Sequence, residues 1–149
     1  MWAIELGASV PGMTSLYTAV VTSSGDGRNG RILSSDGLLA ADLAMPSALG
    51  GNGAGTNPEQ LFAAGYAACF HSALRLVGRR AKADVDGSEV TAKVDLNRAG
   101  EGFGLGVTLE ISLPGLAPEA ARELAEAAHQ VCPYSNATRG NIDVAIVLV

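Results

Sequence analysis

The residues in this sequence best suited to redox or metal chemistry are Cys69, His71, His129 and Cys132. His129 and Cys132 are three apart, so on a helix they share a face, as a metal site needs. Cys69 and His71 are two apart, about 200° around a helix, and point to nearly opposite sides. Convergence of all four on one zinc ion requires the element carrying Cys69 to unwind, so no metal is expected. The cysteines then read as reactive or simply buried thiols, because reducing compartments do not maintain ordinary structural disulfides. For Cys69 the plain alternative is a small hydrophobe packed in a helix. Cys132 precedes Pro133 at a helix end, where the negative end of the dipole raises a thiol pKa and suits a resolving thiol better than an attacking one.

The elements that carry these residues follow from the hydrophobic pattern. Asn57 is a good N-cap and Pro58 fits the first helical position, with Glu59 and Gln60 facing the positive end of the dipole. That helix is expected to run to about Arg79. Leu61 to Phe70 holds no charged residue, so the helix must be covered on nearly all sides and forms the centre of the fold. Its Ala and Gly content, with His71, Ser72 and Arg75, marks a buried soluble helix rather than a membrane span. A second helix opens at Pro118, with Ala121, Leu124, Ala125 and Ala128 inward and Glu119, Arg122, Glu123 and Glu126 outward; Pro133 stops it.

Strands flank these helices. LYTAVVTSS (Leu16 to Ser24), RILSS and LLAADLA are expected to form successive antiparallel strands, the first two joined by the turn-rich GDGRNG. PSALGGNGAGTN reads as a flexible loop on composition. SEVTAKVDLN and FGLGVTLEISL alternate polar with apolar residues and form an antiparallel hairpin; IDVAIVLV is a final strand. The pattern is α+β in one domain of 149 residues.

Composition narrows the partners. Hydrophobic residues reach 48% and aromatics only 5%, so aliphatic and small side chains must build the core. Net charge is −5 and only Arg79, Arg80 and Lys82 cluster, leaving no basic stripe for nucleic acid. The N-terminus has no basic region and carries Glu5 in its apolar stretch, which argues against a signal peptide and for a cytoplasmic protein.

Four stretches, SGDGRNGRILSSDG, GTNPEQLFAAGYAACFHSAL, GFGLGVTLEISLPGL and HQVCPYSNATRGNIDV, resemble, in order, the signature blocks of the organic hydroperoxide resistance proteins. That group is a branch of the wider OsmC/Ohr family. The resemblance runs from about Leu16 to Val149 and leaves residues 1–15 as an unmatched N-terminal extension. It implies an OsmC-like α+β fold, with antiparallel sheets wrapped around two long central helices in an intertwined homodimer. It also implies reduction of an organic hydroperoxide to its alcohol, with Cys69 as the peroxidatic and Cys132 as the resolving cysteine. Arg28 in the first hairpin turn and Glu59 in the NPEQ motif complete the implied site, and no cofactor is implied. The implied reductant is a lipoyl-type dithiol on a partner protein rather than glutathione.

The implied chemistry fits the residue types. A thiol of ordinary pKa is mostly protonated at neutral pH, so an attacking cysteine needs a cation beside it. Arg28 can supply that charge, and Glu59 can fix the guanidinium in a bidentate contact. Without the resemblance, Arg28 reads as a solvated turn arginine and Glu59 as a helix-dipole glutamate. His71 and His129 gain no role from it. A peroxidase of the osmotically inducible branch, or a non-catalytic member that only binds an apolar ligand, are the competing readings.

Helix geometry adds a further expectation. Glu59 and Cys69 lie ten residues apart on one helix, about 15 Å along its axis and roughly 80° around it, so they cannot share a site within that helix. An antiparallel pairing of two such helices removes the difficulty. It predicts a homodimer with composite sites, each taking its cysteines from one chain and Glu59 and Arg28 from the other.

Overall fold

The computed structural model describes residues 12–149 of this α+β protein, so the expectations for residues 1–11 lie outside the described residues. The chain divides into two compact units, Met1–Gly55 and Thr56–Val149.

The first unit is a three-stranded antiparallel sheet: β1 (Val21–Ser24), β2 (Arg31–Ser34) and β3 (Ala40–Asp42), in that order. β1 and β2 join through a 3-10 turn at Gly27–Asn29. Glycine is required at the close of this turn, because a Cβ on Gly30 would stand 2.2 Å from the Ser24 carbonyl oxygen. The Asn29 side chain accepts from the Met45 N–H at 3.1 Å, tying the turn to the chain beyond β3. Strand order agrees with the sequence reading, but β1 and β3 are shorter than expected. Leu16 and Tyr17 form no strand and are 97% and 79% exposed. Leu38 and Leu39 belong to a turn instead, where the Asp36 carboxylate accepts from the Ser34 hydroxyl at 2.6 Å and the Leu38 N–H at 3.0 Å. The glycine-rich stretch read as a flexible loop is folded on itself, with a 3-10 turn at Ser47–Leu49 and the Gly53 N–H donating to the Met45 carbonyl.

The second unit packs helices on one face of a three-stranded sheet. α1 (Pro58–Arg80) starts where its cap predicts, the Asn57 side chain accepting from the Gln60 N–H at 2.9 Å. β4 (Glu89–Ala99) and β5 (Gly102–Ser112) make the expected hairpin in unbroken register from Glu89↔Ser112 to Ala99↔Gly102. Then come α2 (Pro118–Val131), a short α3 (Pro133–Thr138) and β6 (Val144–Leu148). The all-antiparallel expectation is corrected here: β6 pairs with β5 in parallel. The chain leaves β5, crosses through α2 and α3, and returns in the same direction, which is the connection a parallel pair demands.

Alternation builds the core. Val107, Leu109 and Ile111 of β5 face inward against Tyr66, Phe70 and Leu74 of α1, and Ala121, Leu124, Ala125 and Ala128 of α2 close over them. The inward face of α2 is the one its spacing predicts. α1 is long and apolar enough to cross a bilayer by length and composition, and β4 and α2 take up its apolar side here. The expectation that α1 is covered on nearly all sides is not met within this chain. Ala64, Ala68 and Ser72 remain exposed, because the sheet with α2 and α3 encloses only one flank.

Candidate functional site

Cys69 lies in the middle of α1 and Cys132 at the corner between α2 and α3. The corner is made by Pro133, which has no N–H to continue the α2 ladder and whose fixed φ suits the first position of a new helix. Pro133 therefore does more than stop α2 as the sequence suggested: it opens α3. Cys132 ends one helix and begins the next, its N–H donating to the Ala128 carbonyl and its own carbonyl accepting from Asn136. This geometry turns its fully buried side chain toward α1, and Cys132 Sγ stands 3.7 Å from Cys69 Sγ. Both thiols are free. A disulfide needs about 2.05 Å between sulfurs, so only a small approach separates the pair from a bond.

The protein environment alone does not make Cys69 an easy thiolate. Burial pushes its pKa above the ordinary thiol value; the Tyr134 backbone N–H, a hydrogen-bond donor to the sulfur, opposes that, and the neighbouring Cys132 raises it further. A thiolate here is favoured by a cation beside it. Beside Cys69 opens a cleft of about 310 Å³ lined by Ser72, Ala73, Leu76, Val131 and Pro133, a mostly apolar approach to the sulfur.

Glu59 stands apart from Cys69 along α1, and Arg28 belongs to the first unit. Glu59 sits half-buried in the first turn of α1, ten residues before Cys69 on the same continuous helix, so the separation of about 15 Å along the axis holds. Arg28 sits half-buried in the 3-10 turn of the first unit. The histidines are occupied with hydroxyls. His71 Nε2 pairs with Ser88 Oγ at 2.9 Å and His129 Nδ1 with Ser135 Oγ at 2.7 Å. Burial, then the nearby Arg139 charge, holds His129 below the usual histidine pKa. Among the described residues no three of His, Cys, Asp and Glu converge as metal ligands.

Sequence reasoning missed a buried hydroxyl cluster next to the thiols. Tyr66 Oη meets Ser135 Oγ at 2.8 Å and Thr138 Oγ1 at 3.2 Å. The signal was present in the spacing, since Tyr66 precedes Cys69 by three and Ser135 follows Cys132 by three. It becomes readable only once Pro133 is known to start a helix.

Comparison with known proteins agrees with this arrangement of elements. Residues 50–147 match the family described as OsmC-like protein. The chain is 51% identical over 135 residues to the organic hydroperoxide resistance protein of Xanthomonas axonopodis pv. citri, covering 89% of this chain and 94% of that one. It is 50% identical over 136 residues to organic hydroperoxide resistance protein OhrB of Bacillus subtilis, covering 90% and 98%. Among solved structures, an organic hydroperoxide resistance protein from Legionella pneumophila superposes with a TM-score of 0.86 at 49% identity, covering 91% of this chain and 98% of that one. The chain thus belongs to the OsmC-like family, within its organic hydroperoxide resistance branch.

Proposed function

We propose that this protein is a thiol peroxidase that reduces organic hydroperoxides to alcohols. The observation that carries the proposal is the pair of free thiols 3.7 Å apart, one partly exposed on a cleft and the other fully buried behind it. In this reading the Cys69 thiolate attacks the outer peroxide oxygen, the O–O bond breaks, and the alkoxide takes a proton and leaves as alcohol. Cys69 is left as sulfenic acid. Cys132 then condenses with it, releasing water and forming a disulfide before a second peroxide can oxidise the sulfur further. The apolar lining of the cleft favours a hydroperoxide with an alkyl or fatty chain over hydrogen peroxide, since burying that chain contributes about 25 cal/mol per Å².

Arg28 supplies a cation to Cys69, and Glu59 holds the guanidinium in place. These two come from a second copy of the chain in an intertwined homodimer. Two features support that assembly: the uncovered Ala64, Ala68 and Ser72 flank of α1, small enough for another helix to approach closely, and the apolar surface of Leu16, Tyr17 and Val20 ahead of and entering β1. The disulfide is returned to thiols by a lipoyl-type dithiol on a partner protein, in the cytoplasm.

A coupled assay tests the function. With cumene hydroperoxide, dihydrolipoamide should support repeated turnover and glutathione should not; an absence of turnover with every dithiol contradicts the proposal.

A further inference from the structure

The sulfur pair is not the sole polar contact between α1 and the corner that carries Cys132. One turn back along α1, Tyr66 meets Ser135, one turn on from Cys132. The pairs Tyr66–Ser135 at 2.8 Å and Cys69–Cys132 at 3.7 Å are consecutive rungs of an antiparallel ladder. Tyr66, Ser135 and Cys132 are all fully buried.

The upper rung belongs to a closed hydroxyl chain. Ser135 Oγ also meets His129 Nδ1 at 2.7 Å, Tyr66 Oη meets Thr138 Oγ1 at 3.2 Å, and the Thr138 hydroxyl donates to the Ser135 carbonyl at 3.1 Å. Counting protons fixes its direction. If Thr138 gives its proton to that carbonyl, Tyr66 must donate to Thr138, Ser135 to Tyr66, and His129 Nδ1–H to Ser135. Every hydroxyl then donates once and accepts once, and no buried polar group goes unsatisfied. The chain clamps α1, the last turn of α2 and the whole of α3 together. Tyr134, next in sequence to Ser135, adds ring contacts to α1 through Phe62 and Tyr66 at centroid distances of 6.2 Å and 5.6 Å.

We propose that Ser135 and Tyr66 are positioning residues for closure of the disulfide, an inference that rests on the peroxidase reading. Two fates compete for the sulfenic acid. In one, the Cys132 sulfur attacks the Cys69 sulfur, the S–O bond breaks, and hydroxide leaves with the Cys132 proton as water. In the other, a second hydroperoxide transfers an oxygen to Cys69, giving sulfinic acid and another alcohol. The second fate needs only access through the cleft, whereas the first needs Cys132 held in line with the sulfur. Losing the upper rung frees the corner to move without touching either sulfur, and so shifts the partition toward sulfinic acid.

The test treats reduced protein with rising excess of cumene hydroperoxide and reads, by peptide mass mapping, the ratio of sulfinic Cys69 to Cys69–Cys132 disulfide. Ser135→Ala and Tyr66→Phe should each raise that ratio about fivefold, the equivalent of one net hydrogen bond. The rate of the first thiol oxidation should stay within about twofold of wild type, because the rung does not touch the incoming peroxide. Tyr66→Phe keeps the ring and its packing, so it reports even if Ser135→Ala folds poorly. Val107→Ala, a core variant without a hydroxyl, should lower Tm and leave the ratio unchanged. If wild type closes the disulfide and both hydroxyl variants partition as it does, the positioning role is overturned while the peroxidase reading stands. If wild type loses no thiols at all, both are overturned.

Discussion

The unit Thr56–Val149 buries Tyr66, Phe70, Leu74, Leu109 and Ile111 completely, whereas the unit ending at Gly55 buries only Ile32, Leu43 and Ala44 among its described apolar residues. The larger unit brings its two thiols within 3.7 Å on its own core, with both sulfurs on elements anchored at several points. The smaller unit presents Arg28 on a turn held mainly by backbone and amide hydrogen bonds, beside strands whose residues are largely exposed. The difference separates two jobs. Rigid packing places the pair of sulfurs that the proposed function has react with each other, and a lightly packed hairpin carries the Arg28 charge.

Substitutions can break that division of labour in order of severity. Cys69→Ser in the larger unit should abolish peroxidase turnover with any dithiol, because the attacking sulfur is gone; steady-state assay at saturating peroxide checks it. Cys132→Ser should consume about one equivalent of peroxide and stall with an oxidised Cys69, visible as added oxygen in the intact mass.

Arg28→Ala should slow attack without abolishing it. The Cys69 pKa is raised by burial, so removing a cation leaves less thiolate at neutral pH. The sign is upward: the rate of Cys69 alkylation should rise at higher pH in Arg28→Ala than in wild type, with Glu59→Ala shifted less because it acts through the arginine. If the two units work across a dimer, mixing a Cys69→Ser chain with an Arg28→Ala, Glu59→Ala chain should recover about half of wild-type activity per dimer, because one of the two sites is then complete. A fully active monomer in sedimentation contradicts the composite site.

Stability should divide along the same line. Leu109→Ala is expected to cost about 2–5 kcal/mol by denaturant unfolding, with Ile32→Ala at the low end of that range because its small sheet can relax around the gap. The smallest effect belongs to Asp36. Its carboxyl is held below the usual aspartate value first by the Ser34 hydroxyl and then by the Leu38 N–H. A lowered folded-state pKa contributes stability that is present above the unfolded value of 3.8 and is lost as pH falls through the folded value. Asp36→Asn should therefore flatten the acid side of the stability profile slightly and leave Tm at neutral pH nearly unchanged.

Much of this was legible in the sequence where one local rule decided the outcome. Asn57, Pro58 and the uncharged run after Leu61 place the start of α1, and the inward stripe of α2 follows from residues 121, 124, 125 and 128. The hairpin of β4 and β5 follows from strict alternation. What the sequence hid depended on neighbours distant along the chain. The parallel seat of β6 is decided by a crossover, α3 by a proline that reads equally well as a stop, and the short β1 by the lack of a ladder partner for Leu16 and Tyr17. In the site, residue types could nominate Cys69 and Cys132, but their separation of 3.7 Å depends on the corner at Pro133. The Tyr66–Ser135 contact joins residues 69 positions apart, which no local pattern connects.

The most direct test of the account is peptide mapping of the reduced protein after one equivalent of cumene hydroperoxide. The account predicts the loss of two thiols per chain and one cross-linked peptide pair containing Cys69 and Cys132. Two thiols still free, or a cross-link between Cys69 residues of different chains, would contradict it.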